Sequence, residues 1–182
     1  MSLDQLPTDL PIPENDGACD HLLGKRFPDI ELPTTDGKLI NLRKLTGYTV
    51  LYIYPMTGRP NVDLPEGWES IPGARGCTPQ SCSFRDRHSE IIQFANLYGL
   101  SSQDTDYQQE AKSRLHLPFE LLSDHSFFLK EALSLPTFTV EEIQRYKRVT
   151  LIIKDAVINK VFYPVFPPDQ NADDVLDWLN QK

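Results

Sequence analysis

Hydrophobic residues follow two different spacings in the middle of this chain, and each spacing predicts a different element. Residues 48–54, YTVLYIY, are β-branched or aromatic with apolar side chains on both faces, as in a central strand covered on both sides. From Phe84 to Tyr98, apolar residues recur at helical spacing, and Gly99 is a typical residue at a helix end. The pattern therefore predicts a buried strand and, after a long loop, one long helix.

The rest of the chain alternates between predicted strands and helices. Residues 148–165 predict two antiparallel strands joined by a tight connection at 154–156. The other predicted elements are a hairpin and helical turn in 27–45, a strand and loop at 99–104, a helix at 105–115 capped by Asp104 or Thr105, a short strand at 119–124, a helix at 126–133 and an amphipathic helix at 171–182. The early strands cross over through helices and the last two form a hairpin, so we predict an α/β fold with a central mixed β-sheet flanked by helices.

Length and local composition predict a single domain with two irregular segments. The chain has 182 residues, which suits one domain with a substantial core. Residues 1–21 contain prolines and few apolar residues, so we expect an irregular N-terminal arm without chemistry. Residues 56–76 contain three prolines, four glycines and no periodicity, and a loop of this length inside a domain is often functional. The predicted domain is 22–182.

The net charge disfavours two classes of partner. The chain carries 18 basic and 26 acidic residues, a formal charge of -8, and has no basic stripe that would neutralise phosphates or an anionic bilayer. We therefore expect neither nucleic-acid nor membrane binding. The first 20 residues lack the pattern of a signal peptide, and no apolar run reaches the length of a membrane span. These features lead us to expect a cytoplasmic protein.

Two of the three cysteines lie five positions apart, at the start of the predicted helix. An odd number of cysteines in a chain of this length is not a disulfide framework, and in a reducing compartment a close pair is more often catalytic or redox-active. Unpaired N–H groups at a helix N-terminus favour a thiolate, which places Cys77 well for reactivity. Pro79 suits the first helical turn, and Arg75, Arg85 and Arg148 are candidate cationic neighbours.

An intact helix would hold the two sulfur atoms apart. Cys82 follows Cys77 by roughly 7.5 Å along the axis and is turned by about 140°, whereas a disulfide needs Cα atoms about 4.4–6.8 Å apart. Joining them requires the first turns to unwind. This conflict favours a redox cycle over a permanent staple: Cys77 is oxidised by a peroxide, the helix start opens, and Cys82 condenses with the sulfenic acid.

Other interpretations of these residues remain open at this point. Either cysteine could be an ordinary buried residue. A zinc site would require His88, or Cys19 with His21, but neither spacing matches a usual structural zinc pair, so we predict no metal. We interpret His88 as a half-buried packing residue and Cys19 as incidental.

The run GCTPQSCSFRD, residues 76–86, resembles the active-site segment of the peroxiredoxin Q family, also called bacterioferritin comigratory proteins. These are atypical two-cysteine peroxiredoxins, and the resemblance implies a thioredoxin-like fold over residues 22–182. It also implies Cys77 as the peroxidatic and Cys82 as the resolving cysteine. The strand ending in Tyr-Pro implies Pro55 as the active-site proline that shields the sulfur. The segment RVTLIIKD implies Arg148 as the arginine that holds the thiolate and the peroxide oxygen.

The sequence departs from that family pattern in two ways. Pro55 and Cys77 are 22 positions apart, which implies an insertion of about 15 residues within 56–76. The family threonine three residues before the cysteine is replaced by Ala74. We hypothesise that Thr57 replaces that hydroxyl. The insertion, which contains Trp68, could shape a hydroperoxide pocket, dock a partner or simply pack back on the domain.

Together these features predict a thiol peroxidase of the atypical two-cysteine peroxiredoxin type. It would reduce hydrogen peroxide or organic hydroperoxides through a Cys77 sulfenic acid and an intramolecular Cys77–Cys82 disulfide, with a thioredoxin-like dithiol as reductant and no cofactor. The expected state is a monomer or homodimer. One alternative is a thiol–disulfide exchange protein, which usually has a C-x-x-C pair. Another is a non-enzymatic module whose disulfide switches a partner surface.

Overall fold

A mixed five-stranded sheet forms the centre of the computed structural model, which describes residues 2–182. The strands are β1 Leu32–Pro33, β2 Leu39–Ile40, β3 Tyr48–Ile53, β4 Ala95–Ser101, β5 Leu121–Ser123, β6 Thr137–Val140, β7 Ile143–Tyr146, β8 Val149–Lys154 and β9 Val157–Phe162. The helices are α1 Cys77–Asp86, α2 His88–Ile91, α3 Thr105–Leu115, α4 Phe128–Leu133 and α5 Asn171–Leu179. The central sheet has the order β5-β4-β3-β8-β9, and β1-β2 and β6-β7 form two small sheets.

Strand β3 occupies the middle of the sheet because both of its faces are apolar. It pairs in parallel with β4 and antiparallel with β8. Successive residues enter opposite hydrophobic clusters: Val50 and Tyr52 belong to one, and Leu51 and Ile53 to the other. All four side chains are fully buried. The prediction of a central mixed sheet flanked by helices is confirmed.

The prediction of one helix from Phe84 to Tyr98 is wrong. Helix α1 ends at Asp86, the short α2 ends at Ile91, and strand β4 begins at Ala95. In the first half of β4, buried residues alternate with more exposed ones. The strand pairs in parallel with β3, and a continued helix would leave that edge of β3 without a hydrogen-bonding partner. The helical spacing of the last apolar residues was therefore coincidental.

Gly99 lies inside β4 and does not end a helix. A Cβ atom at this position would lie 2.6 Å from Cζ of Tyr52 and 2.7 Å from Cδ2 of Leu121. Both neighbours are fully buried, so the missing side chain makes room for the Tyr52 ring on this face of the sheet.

The β6–β7 hairpin was not predicted from the sequence. Its strands are joined by Glu141 and Glu142, both with positive φ (47° and 64°), a conformation in which turn residues are usually glycine or asparagine. A Glu-Glu pair gives no such signal. The hairpin matters for the site because it precedes β8 directly and delivers Arg148 to the start of that strand.

The insertion at 56–76 packs back on the domain. Apart from a 3₁₀ turn at Trp68–Ser70 it is irregular, yet the Trp68 side chain is 3% exposed. Its ring centroid lies 5.8 Å from that of Phe138 on β6, and the two rings pack with Ala74 and Val140 in a small hydrophobic cluster. The insertion and the β6–β7 hairpin thus support each other.

The N-terminal arm is irregular and lies against the insertion. The guanidinium of Arg75 donates to the carbonyl of Ser2 at 2.8 Å, and the side chain of Leu6 packs closely over Gly76. At its C-terminal end, Cys19 and Leu22 are buried in the hydrophobic cluster on one face of the central sheet. None of the helices within residues 2–182 combines the length and apolar character of a membrane span.

We expect Gly99→Ala to lower the free energy of unfolding by about 1–3 kcal/mol, because the added methyl group enters a filled core. Urea unfolding followed by circular dichroism would measure the change. Gly58→Ala is the matched control, since its nearest atoms are the flexible tips of Leu3 and Leu64 at 3.0–3.3 Å. Equal losses for the two variants would contradict this account of Gly99.

Candidate active site

Cys77 is the first residue of α1, and the backbone before it has a conformation suited to glycine. Gly76, the N-cap, has a φ of 110°. An added Cβ would lie 2.4 Å from Cγ of Pro168 and 2.7 Å from Cδ2 of Leu6, so the close packing here also requires glycine. The Cys77 side chain is 3% exposed. The sulfur atom therefore sits at a helix N-terminus, almost out of contact with bulk water.

Two hydrogen-bond donors point at this sulfur. Nη2 of Arg148 lies 3.3 Å from Sγ of Cys77, and the backbone N–H of Met56 lies 3.4 Å from it. The protonated thiol can donate to the carbonyl of Ala74 at 3.6 Å. Both donors and the helix N-terminus are placed to stabilise negative charge that develops at the sulfur during reaction. The arrangement is therefore suited to a thiolate nucleophile.

Arg148 is nearly fully buried, and its guanidinium is hydrogen-bonded to several groups around the sulfur. The two N–H groups of its Nη2 are shared between the sulfur and the carbonyls of the loop before α1, which lie 3.2 Å (Gly73), 3.1 Å (Ala74) and 3.4 Å (Arg75) from Nη2. Its Nη1 donates to the side-chain oxygen of Gln80. The guanidinium thus joins the active-site loop, the first turn of α1 and the start of β8, which fixes its position relative to the sulfur.

Gln80 is a positioning residue that the sequence reasoning missed. Its side chain is fully buried, and its Nε2 donates to Oδ1 of Asn171 at 3.0 Å. The hydroxyl of Thr150, two residues after Arg148 on β8, donates to the same oxygen at 2.7 Å. A signal existed in the sequence: Gln80 lies three residues after Cys77, so the two share a helix face, but the network needs Asn171 from a distant element.

Pro55 and Thr57 flank Met56, whose N–H lies 3.4 Å from the Cys77 sulfur. Pro55 is buried directly after β3, and the next residue, Met56, supplies the N–H to Cys77. The Thr57 hydroxyl instead donates to Oε1 of Gln103 at 3.4 Å, beside a 3.0 Å bond from the Thr57 N–H to the same oxygen. It makes no hydrogen bond to Cys77, so the structure does not support the hypothesis that Thr57 replaces the hydroxyl absent at Ala74.

Cys82 lies in the same continuous helix as Cys77 and is half-buried. Burial raises the pKa of its thiol, and the Arg85 guanidinium partly opposes this shift. All three cysteines are free. Cys19 belongs to the cluster on the other face of the sheet from Cys77, and burial, with smaller contributions from Asp16 and Asp20, raises its pKa to about 12.

His88 and the acidic residues form no metal centre in the described part of the chain. The His88 ring packs beside that of Phe119, with centroids 6.0 Å apart, and burial lowers its pKa. Residues 2–182 contain no group of three or more His, Cys, Asp or Glu side chains placed to hold an ion.

Comparison with known proteins gives the family. The Redoxin family matches residues 22–176. The chain is 26% identical over 158 residues to the chloroplastic peroxiredoxin Q of Suaeda salsa, covering 86% of this chain and 66% of that one, so it spans just under two thirds of that relative. It is 27% identical over 162 residues to a putative peroxiredoxin bcp of Coxiella burnetii, covering 86% of this chain and 97% of the relative.

The solved structures agree with this family match. The crystal structure of peroxidoxin BcpB from Mycobacterium tuberculosis superposes with a TM-score of 0.72 at 25% identity, over 88% of this chain and 98% of that one. The PrxQ structure from Xylella fastidiosa also gives 0.72, at 20% identity. With most of its length matched, this chain belongs to the Redoxin family and is similar within it to peroxiredoxin Q and Bcp proteins.

Proposed function

We propose that this protein is a thiol peroxidase that reduces hydrogen peroxide or organic hydroperoxides. The observation that carries the proposal is the Cys77 sulfur at the start of α1, 3.3 Å from Nη2 of the buried Arg148. The names of its relatives, peroxiredoxin Q and peroxiredoxin bcp, support the same chemistry.

The first step is attack of the Cys77 thiolate on one oxygen of the peroxide. A sulfur–oxygen bond forms while the O–O bond breaks, and the leaving oxygen departs as water or an alcohol once it has taken up a proton. Cys77 becomes a sulfenic acid. Negative charge moves from sulfur to the leaving oxygen during this step, and the Arg148 guanidinium and the Met56 N–H are placed to stabilise it.

The second step joins Cys77 to Cys82. The Cys82 sulfur displaces the sulfenic oxygen as water, and a disulfide forms. Because both residues lie in α1, the first turns must open, which breaks helical hydrogen bonds such as that from the Gln80 N–H to the Gly76 carbonyl at 3.0 Å. A thioredoxin-like dithiol then reduces the disulfide, giving up two hydrogen atoms, and the helix re-forms.

We expect Cys77→Ser to abolish peroxide turnover and Cys82→Ser to leave one round of peroxide reduction without turnover. The first variant lacks the nucleophile. The second forms a sulfenic acid at Cys77 that has no Cys82 thiol with which to form the disulfide. Consumption of hydrogen peroxide and cumene hydroperoxide with thioredoxin and its reductase would measure turnover, and mass spectrometry after dimedone labelling would detect the sulfenic acid. Cys19→Ser is the control. Full turnover by Cys77→Ser would refute the proposal.

We expect Gln80→Leu to lower kcat/KM for hydrogen peroxide by about tenfold or more. A hydrogen bond to a charged group is worth roughly 1.5–3 kcal/mol, and its loss frees the buried Arg148 to shift away from the sulfur. Gln108→Leu is a matched control, because Gln108 is an equally buried glutamine that bonds to Ser101 and the Leu122 carbonyl. If the two variants were equally slow, loss of stability would explain the effect.

We expect Thr57→Val to leave kcat/KM for hydrogen peroxide within about twofold of the native value. The substitution removes the 3.4 Å hydrogen bond from the Thr57 hydroxyl to Gln103 and no bond to the sulfur. The bonds between the Thr57 backbone and the Gln103 side chain remain. Steady-state kinetics would check this. A large loss of rate with unchanged thermal stability would restore the hypothesis that this hydroxyl serves the sulfur.

A further inference from the structure

The loop between β3 and α1 faces the sulfur at both of its ends, and its C-terminal end is held by Arg148. The Ala74 carbonyl accepts from Nη2 of Arg148 at 3.1 Å. At the N-terminal end, the Met56 N–H lies 3.4 Å from Sγ of Cys77. Strand β3 fixes the chain just before Met56, but residues 57–76 are irregular apart from one 3₁₀ turn. Keeping this N–H in place therefore requires a second anchor just after Met56.

The side-chain amide of Gln103 supplies that anchor. Its Oε1 accepts from the Thr57 N–H at 3.0 Å, and its Nε2 donates to the Thr57 carbonyl at 3.3 Å. One amide thus binds both polar backbone groups of a single residue, as the opposite residue of an antiparallel strand would do. Thr57 follows Met56 directly, so these two bonds fix the two peptide groups that come after the donor.

Gln103 is itself held by the ends of two strands of the central sheet. Its N–H donates to the hydroxyl of Ser101, the last residue of β4, at 3.3 Å. Its carbonyl accepts from the hydroxyl of Ser123, the last residue of β5, at 2.6 Å. Ser101 and Ser123 lie opposite each other in the sheet. The start of the loop is therefore tied to the sheet and does not depend on the insertion for its position.

Burial makes the bonds between Gln103 and Thr57 hard to replace. Thr57 is fully buried and Gln103 is 5% exposed, so bulk water does not reach the paired groups. Within residues 2–182, Gln103 is the only group that bonds to the Thr57 N–H and carbonyl. Loss of the amide would leave a buried donor and a buried acceptor unpaired, which favours a shift of this segment toward other partners.

We propose that Gln103 is a positioning residue for the peroxidase reaction: by binding the Thr57 backbone, it keeps the Met56 N–H directed at the Cys77 sulfur. The inference rests on the proposed peroxidase function and adds a residue to its machinery. Gln103 makes no hydrogen bond to the sulfur and acts through Met56. A donor placed to stabilise developing charge loses much of its effect when it moves by a fraction of an ångström.

Gln103→Met tests the proposal, because methionine is an unbranched side chain of similar volume without an amide. We expect kcat/KM for hydrogen peroxide to fall by about tenfold or more. Gln103→Asn, whose amide is one methylene short of Thr57, should have the same effect. Gln108→Leu is the matched control and should stay within about twofold of the native value, since the buried Gln108 bonds to Ser101 and to the Leu122 carbonyl but not to Thr57.

Amide hydrogen exchange, followed by NMR in the reduced protein, reports the position of the donor without turnover. In Gln103→Met we expect the Met56 N–H to exchange at least about tenfold faster than in the native protein. The Tyr54 N–H, which donates to the Leu100 carbonyl at 3.0 Å, should keep its native exchange rate. Thr57→Val retains the backbone bonds to Gln103 and should leave both exchange rates unchanged.

The two measurements together separate positioning from stability. Slower peroxide reduction with faster exchange at Met56 alone would support the proposal. Equal acceleration at Met56 and Tyr54 would mean that Gln103 only stabilises the fold and would overturn it. A native kcat/KM in Gln103→Met, or a rate loss without faster exchange at Met56, would overturn it as well. If the native protein failed to reduce peroxides but showed the local effect at Met56, the peroxidase would be rejected and the role of Gln103 in holding this N–H would stand.

Discussion

The buried hydrogen bonds of Arg148 are the interaction on which the rest of this structure depends. A guanidinium that is 3% exposed must find acceptors, and this one finds the carbonyls before α1, the Gln80 side chain and the Cys77 sulfur. Those contacts join the start of β8 to the loop before α1 and to α1 itself, which lie 68–75 positions earlier in the sequence. The same bonds that supply acceptors to the two Nη groups therefore place the buried charge beside the reactive atom.

This arrangement creates a conflict that the proposed cycle has to resolve. The first turns of α1 are held by close contacts: Gly76 beneath Pro168, Gln80 to Arg148, and the Ser81 hydroxyl accepting from the buried Tyr52 at 3.0 Å. A Cys77–Cys82 disulfide needs these turns to open. The contacts that stabilise the reduced site thus oppose formation of the Cys77–Cys82 disulfide. Oxidation of the Cys77 sulfur must supply the free energy that opens these turns.

The long insertion contributes structure as well as length. Trp68 is buried against Phe138, so the insertion supports the β6–β7 hairpin, and that hairpin leads directly to Arg148 at the start of β8.

Neighbouring residues in the sequence were enough to determine several elements of this fold. The apolar run of β3, the Asp104 cap of α3 and the placement of Cys77 at a helix start are set by neighbouring residues and were predicted. Tertiary structure decided the rest: residues 95–101 form β4 because β3 offers a partner. Thr57 bonds to Gln103 because the fold brings together two residues 46 positions apart. Long-range pairing and burial, which no local spacing encodes, choose between such alternatives.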